Sequence, residues 1–203
     1  MRRIQLAIAV PLTAVLALSA CSTPLAAVET PITSASTATS GVAAGDAGTL
    51  LAAQGLEGKS GAEVVEALDQ LDAQRPLTLA ASVRYDEVLL SDGTTEAALP
   101  LEGDQFYLSI APYETTTHEC YFHNLGTCQG ELANAEVRVK ITTDSGEVLV
   151  DEDATTYANG FVGFWLPKDI TGEVTVTADG KTGTVPFATG PEDATCLTTL
   201  QVS

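Results

Sequence analysis

The sequence predicts a mainly β, α+β fold, in which a small helical N-terminal part precedes a C-terminal region that forms an antiparallel, Ig-like β-sandwich. Two observations predict this fold. Apolar residues have helical spacing as far as residue 74, and from Leu77 onward they alternate with polar residues. In addition, seven or more short alternating segments are separated by regular turn signals, which is typical of sandwiches.

The first twenty residues have the pattern of an export signal. An arginine pair precedes an almost uncharged apolar stretch over residues 4–18, which is too short for a spanning helix. The letters LSAC that end at Cys21 resemble a bacterial lipobox, which implies that residues 1–20 are removed, that Cys21 is lipidated, and that the protein is anchored to the cell membrane facing the extracytoplasmic space. The alternative is an ordinary secretory signal cleaved nearby, for example after Ala26.

Three regions follow this signal. Residues 21–45 are rich in Ser, Thr and Ala and carry little charge, which predicts a flexible tether because such a segment cannot bury a core. Residues 46–95 predict a helical region with short strands, and residues 96–203 predict the β-sandwich.

Two helices are predicted in the helical region. A short helix over residues 49–54 is stopped by Gly55. Ser60 and Glu63 have the spacing of a capping box, which begins a second, amphipathic helix. Pro76 ends that helix.

The strands predicted after the helices are short and amphipathic. Val137, Val139 and Ile141 alternate with charged residues, which gives one buried and one solvated face. Tight hairpin turns are predicted at residues 144–146 and 179–181. The predicted strands cover residues 77–83, 87–90, 105–110, 136–142, 147–151, 160–166, 173–177, 182–187 and 196–202.

The charge of the chain excludes some partners. There are 27 acidic and 9 basic residues, and without Arg2 and Arg3 the balance is 27 to 7, a formal charge of −20. Such a surface repels nucleic acid and anionic lipid headgroups. We therefore expect no nucleic-acid partner, and the only membrane contact expected is through the lipid on Cys21.

Beyond Cys21 the chain has three cysteines and two histidines, and four of these five side chains lie within eleven residues: His118, Cys120, His123 and Cys128. The fifth, Cys196, begins the last predicted strand, which can bring it alongside. Three is an odd number of cysteines for an exported domain, so disulfide formation alone leaves one thiol over. On a strand, residues two apart such as His118 and Cys120 project from the same face. The pattern predicts a metal site.

The donor types limit the metal. Thiolates are soft ligands that select Cu(I) or Zn(II), and imidazole binds Zn(II) and both oxidation states of copper. Three thiolates can enclose Cu(I), and the same set with one histidine forms a Cys₃His site for Zn(II). Composition does not separate these two metals. The only methionine is Met1, so the mature chain offers no thioether ligand.

Three segments resemble the CueP family of exported copper-binding proteins: HECYFHNLGTCQGEL at 118–132, NGFVGFWLP at 159–167 and TCLTTL around Cys196. The resemblance covers the chain from about Leu77 to its end, and the cysteines keep the family's spacing of eight and then sixty-eight positions. The lipobox and the long tether depart from the periplasmic members of the family.

The resemblance implies a function in copper resistance and homeostasis. It implies that Cys120, Cys128 and Cys196 bind Cu(I), with His118 and His123 as accessory ligands. It also implies delivery to a copper-acceptor protein or reduction of Cu(II), a helical part joined to a β-rich part, and a homodimer.

Cupric reduction is the one enzymatic activity that the residues suggest. Two close thiolates can reduce two Cu(II) ions in succession and become a disulfide. No hydrolase motif is present. The alternatives are a zinc site and an Ig-like surface module in which one disulfide, such as Cys128–Cys196, leaves Cys120 as a free thiol.

Overall fold

The computed structural model describes residues 43–203. The predicted signal peptide, Cys21 and all but the end of the predicted tether lie outside the described residues. In chain order the elements are β1 (Ala43–Ala44), α1 (Ala47–Ala52), α2 (Gly61–Asp69), β2 (Ala80–Val83), β3 (Glu87–Ser91), β4 (Thr95–Pro100), β5 (Gln105–Ile110), β6 (Glu136–Thr143), β7 (Val148–Thr155), β8 (Val162–Pro167), β9 (Thr171–Ala178), β10 (Lys181–Ala188) and β11 (Cys196–Leu197). The predicted fold class, mainly β with a small helical N-terminal part, is confirmed.

Two sheets form the sandwich. One has the strand order β10-β9-β6-β7 and is antiparallel throughout, and the other has the order β11-β5-β8. Their inner faces share one core, in which Phe106 and Ile110 of β5 pack with Val139 of β6 and Val176 of β9. The outer face of β6 is charged, as its alternating pattern predicts.

A third sheet carries the helices. It has the order β1-β4-β3-β2, and the short β1 pairs with β4 in parallel. Leu50 and Leu51 of α1 and Val64 of α2 pack with Val88 and other apolar residues of this sheet in a second core. Ser60 caps α2 and the reciprocal bonds with Glu63 are both made, so the predicted capping box is confirmed.

The strand β5 joins the two cores. Its burial pattern shows five consecutive buried residues. Phe106, Leu108 and Ile110 face the sandwich core, whereas Tyr107 belongs to the core beneath the helices. The polar groups on this second face of β5 therefore point toward α2.

The described part of the chain differs from the predicted elements in a few places. The strand β4 was not predicted, because its two central residues, Ala97 and Ala98, give no alternating signal. The last predicted strand shortens to Cys196–Leu197, followed by a bridge between Gln201 and Tyr113. The helix α2 ends at Asp69, before the predicted stripe reaches Leu71, which is exposed. No helix among residues 43–203 is long and apolar enough to cross a membrane.

Candidate metal centre

The segment between β5 and β6 carries four of the five predicted ligands and is held against the edge of β2. The amide of Val83 donates to the carbonyl of His123 at 2.8 Å, and the amide of Leu125 donates to the carbonyl of Ala81 at 2.8 Å. Residues 123–125 thus extend the helix-bearing sheet β1-β4-β3-β2 by pairing with β2. This pairing fixes the backbone of His123.

A tight turn returns the chain from His123 to Cys128. The amide of Cys128 donates to the carbonyl of Asn124 at 2.9 Å, and the Asn124 side chain accepts from the amide of Gly126 at 3.0 Å. A Cβ atom at Gly126 would lie 2.1 Å from the carbonyl oxygen of Leu79, so the turn approaches β2 more closely than any side chain allows. The turn predicted at Gly126 exists, and the glycine is required by this close approach.

Cys196 reaches the same place from β11. This strand pairs in parallel with β5, with Cys196 opposite Ser109. The neighbouring Thr195 ties three segments together, because its hydroxyl donates to the carbonyl of Val83 at 2.9 Å and accepts from the amide of His123 at 2.9 Å. The pairing and this hydroxyl place Cys196 beside the His123 loop.

The three sulfur atoms lie together. Cys120 and Cys196 form a disulfide, with their Cα atoms 5.7 Å apart. Cys128 is a free thiol, and its Sγ lies 3.5 Å from Sγ of Cys120. The Cys128–Cys196 disulfide considered from the sequence is therefore not the pair that forms in the structure.

The donor atoms form two overlapping groups that share Cys128. His118, Cys120 and Cys128 form a shallow group, in which every residue is partly exposed. His123, Cys128 and Cys196 form a deep group, in which His123 and Cys196 are buried. In each group the ligand atoms lie within 4.8 Å of one another. A metal that binds sulfur at about 2.3 Å can bridge atoms up to about 4.6 Å apart, so small side-chain movements suffice.

The two histidines have different surroundings. His118 does not lie in a strand, and its Nε2 atom is buried without a hydrogen-bond partner. A buried polar atom without a partner is costly, and a metal ion is one way to satisfy it. The ring of His118 meets the edge of Phe161, whose centroid is 6.2 Å away.

His123, in contrast, is fully buried and paired. Its Nε2 atom lies 2.9 Å from Oδ1 of Asp69, and its Nδ1 atom lies 3.8 Å from Sγ of Cys196. Burial lowers the pKa of His123, but the charge and hydrogen bond of Asp69, with a contribution from Cys128, outweigh burial and raise this pKa to about 9. A metal that binds Nδ1 must therefore displace a proton.

Asp69 has the complementary shift. Burial raises the pKa of this carboxyl group, but His123, Tyr107 and Asn159 together lower it below its usual value. Asp69 is therefore a carboxylate in the interior, stabilised by its donors.

The floor of the pocket is apolar. Phe161, Ala111 and Cys196 form a small buried cluster, against which Cys120 and Cys128 pack. Phe161 is a core aromatic, as the sequence indicates, and its ring also contacts His123 at a centroid distance of 4.4 Å. An apolar floor excludes water from the sulfur side of the site, which favours soft ligands and a soft metal.

Asp69 contacts the site through His123 and was missed by sequence reasoning, although a signal for it existed. It lies four residues after Val65, on the apolar face of α2, where a carboxylate is unexpected. Glu119, in contrast, is exposed and stays outside the site.

The β-rich fold gathers three sulfur atoms and two imidazoles in one pocket, and these side chains form groups that could hold a metal ion, as in a metal-binding protein. The sequence matches the family described as periplasmic copper-binding protein CueP over residues 63–201, and the chain belongs to this family. It is also similar to a solved structure described as "Crystal Structure of S.CueP", with 43% sequence identity and a TM-score of 0.75 over 78% of this chain and 98% of that chain. No curated protein sequence matches the chain. Membership of the family supports an extracytoplasmic copper-binding role.

Proposed function

We propose that this protein is an extracytoplasmic copper-resistance protein that holds Cu(I) through the thiolates of Cys120, Cys128 and Cys196, with His118 and His123 as additional ligands. The observation that carries the proposal is the convergence of these five side chains in two groups that share Cys128. Thiolates are the preferred ligands of Cu(I), and the described residues supply three sulfurs in one pocket.

The shallow and deep groups suit successive steps. Cu(II) prefers nitrogen donors, and the partly exposed His118 offers one beside two sulfurs. Cu(I) prefers sulfur, and when the Cys120–Cys196 disulfide is reduced the deep group provides two thiolates over an apolar floor. Since Cys128 belongs to both groups, an ion can pass from one to the other without losing this ligand.

The disulfide supports a reductive step within the proposal. When the thiolates of Cys120 and Cys196 each give one electron, two Cu(II) ions become two Cu(I) ions and one S–S bond forms. The disulfide of the structure has the connectivity of that oxidised product. Cys128 remains a thiol and can retain one Cu(I), and an external dithiol must reduce the disulfide before a second cycle.

The proposal extends to location and partners. Residues 1–20 direct export, Cys21 carries the lipid anchor, and residues 21–45 form the tether. A copper-acceptor protein and a second copy of this chain are the partners that the family resemblance implies.

The test compares thiol protection in the reduced, tether-free protein and in the C120S/C128S/C196S variant. Cu(I) is expected to protect three thiols per chain from alkylation, and Cu(II) is expected to yield Cu(I), detected with a Cu(I)-specific chromophore. Zn(II) added in competition distinguishes the zinc site, since Zn(II) would then displace Cu(I). A disulfide that persists under dithiol, with no bound metal, would support the structural module and end the copper proposal.

A further inference from the structure

The carboxylate of Asp69 lies beneath the metal centre, and the proposed copper chemistry does not use it. Asp69 is the last residue of α2 and is completely buried. A buried carboxylate is costly unless its oxygens accept enough hydrogen bonds. Its partners therefore indicate why it is there.

Both oxygens of Asp69 accept hydrogen bonds from buried side chains. Oδ1 accepts from Nε2 of His123 at 2.9 Å and from Nδ2 of Asn159 at 2.6 Å. Oδ2 accepts from the hydroxyl of Tyr107 at 2.6 Å and lies 3.4 Å from that of Ser109. The carboxylate thus ties α2 to β5, to the loop before β8 and to the His123 loop.

The direction of these bonds is fixed by neighbouring backbone. Oδ1 of Asn159 accepts from the amide of Phe161 at 3.0 Å, so the NH₂ group of Asn159 must face Asp69. With every other partner donating, Oδ1 of Asp69 is an acceptor toward His123, and Nε2 of His123 carries a proton. Nδ1 is then the nitrogen available to a metal, which displaces the proton on that nitrogen while Nε2 keeps its proton for Asp69.

The orientation of the ring agrees with this assignment. Nδ1 of His123 faces the sulfur of Cys196 at 3.8 Å, whereas Nε2 points away from the sulfurs toward α2. The ring is also packed against the tilted ring of Phe161, which limits its rotation.

We propose that Asp69 is the positioning residue of the copper site, which holds the Nε2 proton of His123 and aims Nδ1 at the sulfur atoms. The inference rests on the proposed function, because it names the nitrogen through which His123 binds Cu(I). It also assigns a role to the helical part: α2, from residues 46–95, supports a site whose candidate metal ligands all come from residues 96–203.

The test reads the bound nitrogen directly. Cu(I) is diamagnetic, so long-range ¹H–¹⁵N correlation spectra of the Cu(I)-loaded, reduced protein show which imidazole nitrogen carries the metal. We expect Nδ1 of His123 to be bound and Nε2 to be protonated. D69L removes the acceptor and is expected to weaken Cu(I) binding about 10–100-fold and to abolish this pattern. D69N keeps an acceptor oxygen and is expected to retain the pattern with a smaller loss of affinity.

Glu66→Gln is the matched control, since Glu66 lies on the same helix and its carboxylate accepts a hydrogen bond from Trp165 at 3.1 Å, away from the sulfurs. It is expected to leave the His123 spectrum unchanged. Copper held by sulfur while His123 binds through Nε2, or not at all, would overturn the role of Asp69 and leave the proposed function standing. The spectrum of the wild type shows which nitrogen of His123 binds Cu(I), so it tests the role of Asp69 even if D69L does not fold. Absence of Cu(I) binding by the wild type would instead overturn the proposed function.

Discussion

The Sγ atom of Cys128 lies 3.5 Å from the Sγ atom of Cys120, which is itself bonded to Cys196. The free thiol therefore adjoins the disulfide without belonging to it. This arrangement separates two tasks. In the proposed function the Cys120–Cys196 pair exchanges electrons, whereas Cys128 is the thiol common to the shallow and deep groups.

The C128S variant tests this separation. We expect reduced C128S to convert two Cu(II) ions per chain, because the Cys120–Cys196 pair is intact, but to lose Cu(I) affinity by at least an order of magnitude. C196S is the matched variant: it cannot form the observed disulfide and is expected to reduce Cu(II) more slowly. A Cu(I)-specific chromophore measures both quantities. Complete loss of reduction in C128S would contradict the division of roles.

The two histidines are expected to differ in their effect on stability. H123A leaves the buried carboxylate of Asp69 without its charged partner, and breaking such a pair costs about 3–5 kcal/mol. H118A removes a partly exposed ring whose Nε2 has no hydrogen bond, so the free energy of unfolding should change by less than about 1 kcal/mol. Urea unfolding of the metal-free proteins measures both changes, and equal losses would show that His123 and Asp69 are not coupled.

The same pair predicts a dependence of stability on alkaline pH. Because folding raises the pKa of His123 from 6.5 to about 9, its contribution is fully present below about pH 6.5 and is lost as the pH rises through about 9. The difference in unfolding free energy between wild type and H123Q should therefore shrink across this interval. Urea titrations from pH 6 to pH 10 on the metal-free disulfide form measure it, and a constant difference would refute the raised pKa.

Arg75 is expected to support the His123 loop from the helical side. Its buried guanidinium donates to carbonyl oxygens at the end of α2 and in the following turn, and Nε donates to the carbonyl of Leu125 at 3.3 Å. R75M should lower the free energy of unfolding by about 3 kcal/mol, since several carbonyls lose their donor together. It should also speed hydrogen exchange at the Leu125 amide, which bonds to Ala81.

The control for Arg75 is Arg138, which is exposed on β6 and pairs with Asp151 and Asp153. R138M is expected to change stability by no more than about 1 kcal/mol, because exposed ion pairs contribute little. If R75M and R138M have similar effects, Arg75 does not hold the loop.

Local patterns in the sequence predicted most of the helices and strands, but they did not predict the pairing of distant groups. The capping box at Ser60 and the alternation in β6 are local patterns, and the structure contains both. The disulfide partner of Cys120 depends instead on the parallel pairing of β11 with β5 and on the hydroxyl of Thr195. These are tertiary contacts, and no spacing between cysteines encodes them.

The carboxylate under the site shows the same limit. Helical periodicity places Asp69 on the apolar face of α2 and so marks it as unusual, but it does not identify the partners of the carboxylate. The contacts that explain its burial are made with His123 and Asn159, which are 54 and 90 residues away along the chain. The donor types indicated a metal site and the family resemblance indicated copper, but the contacts of Asp69 with these distant residues could not be predicted from local spacing.

Glu131 is expected to stabilise the approach to the metal loop in acid. Its carboxylate accepts from the amides of Glu114 and Thr115 at 2.6 and 2.9 Å, and also from the Thr115 hydroxyl. The bonds to Thr115, side chain first, and then that to Glu114 lower the pKa of Glu131 to about 2. Its contribution is therefore present above the ordinary value near pH 4.5 and is lost as the pH falls through about 2.

E131Q should remove this contribution, so the stability difference from wild type should be largest above pH 4.5 and vanish near pH 2. Glu102→Gln, which changes another exposed carboxylate, is the control and should show a smaller difference. Urea unfolding between pH 2 and pH 6, with NMR titration of the Glu131 carboxyl, measures both. A titration midpoint near 4.5 would show that the carboxylate does not hold residues 114 and 115 in solution. Glu131 would then make no stable hydrogen bond to Glu114 and Thr115, where the segment that leads to His118 begins.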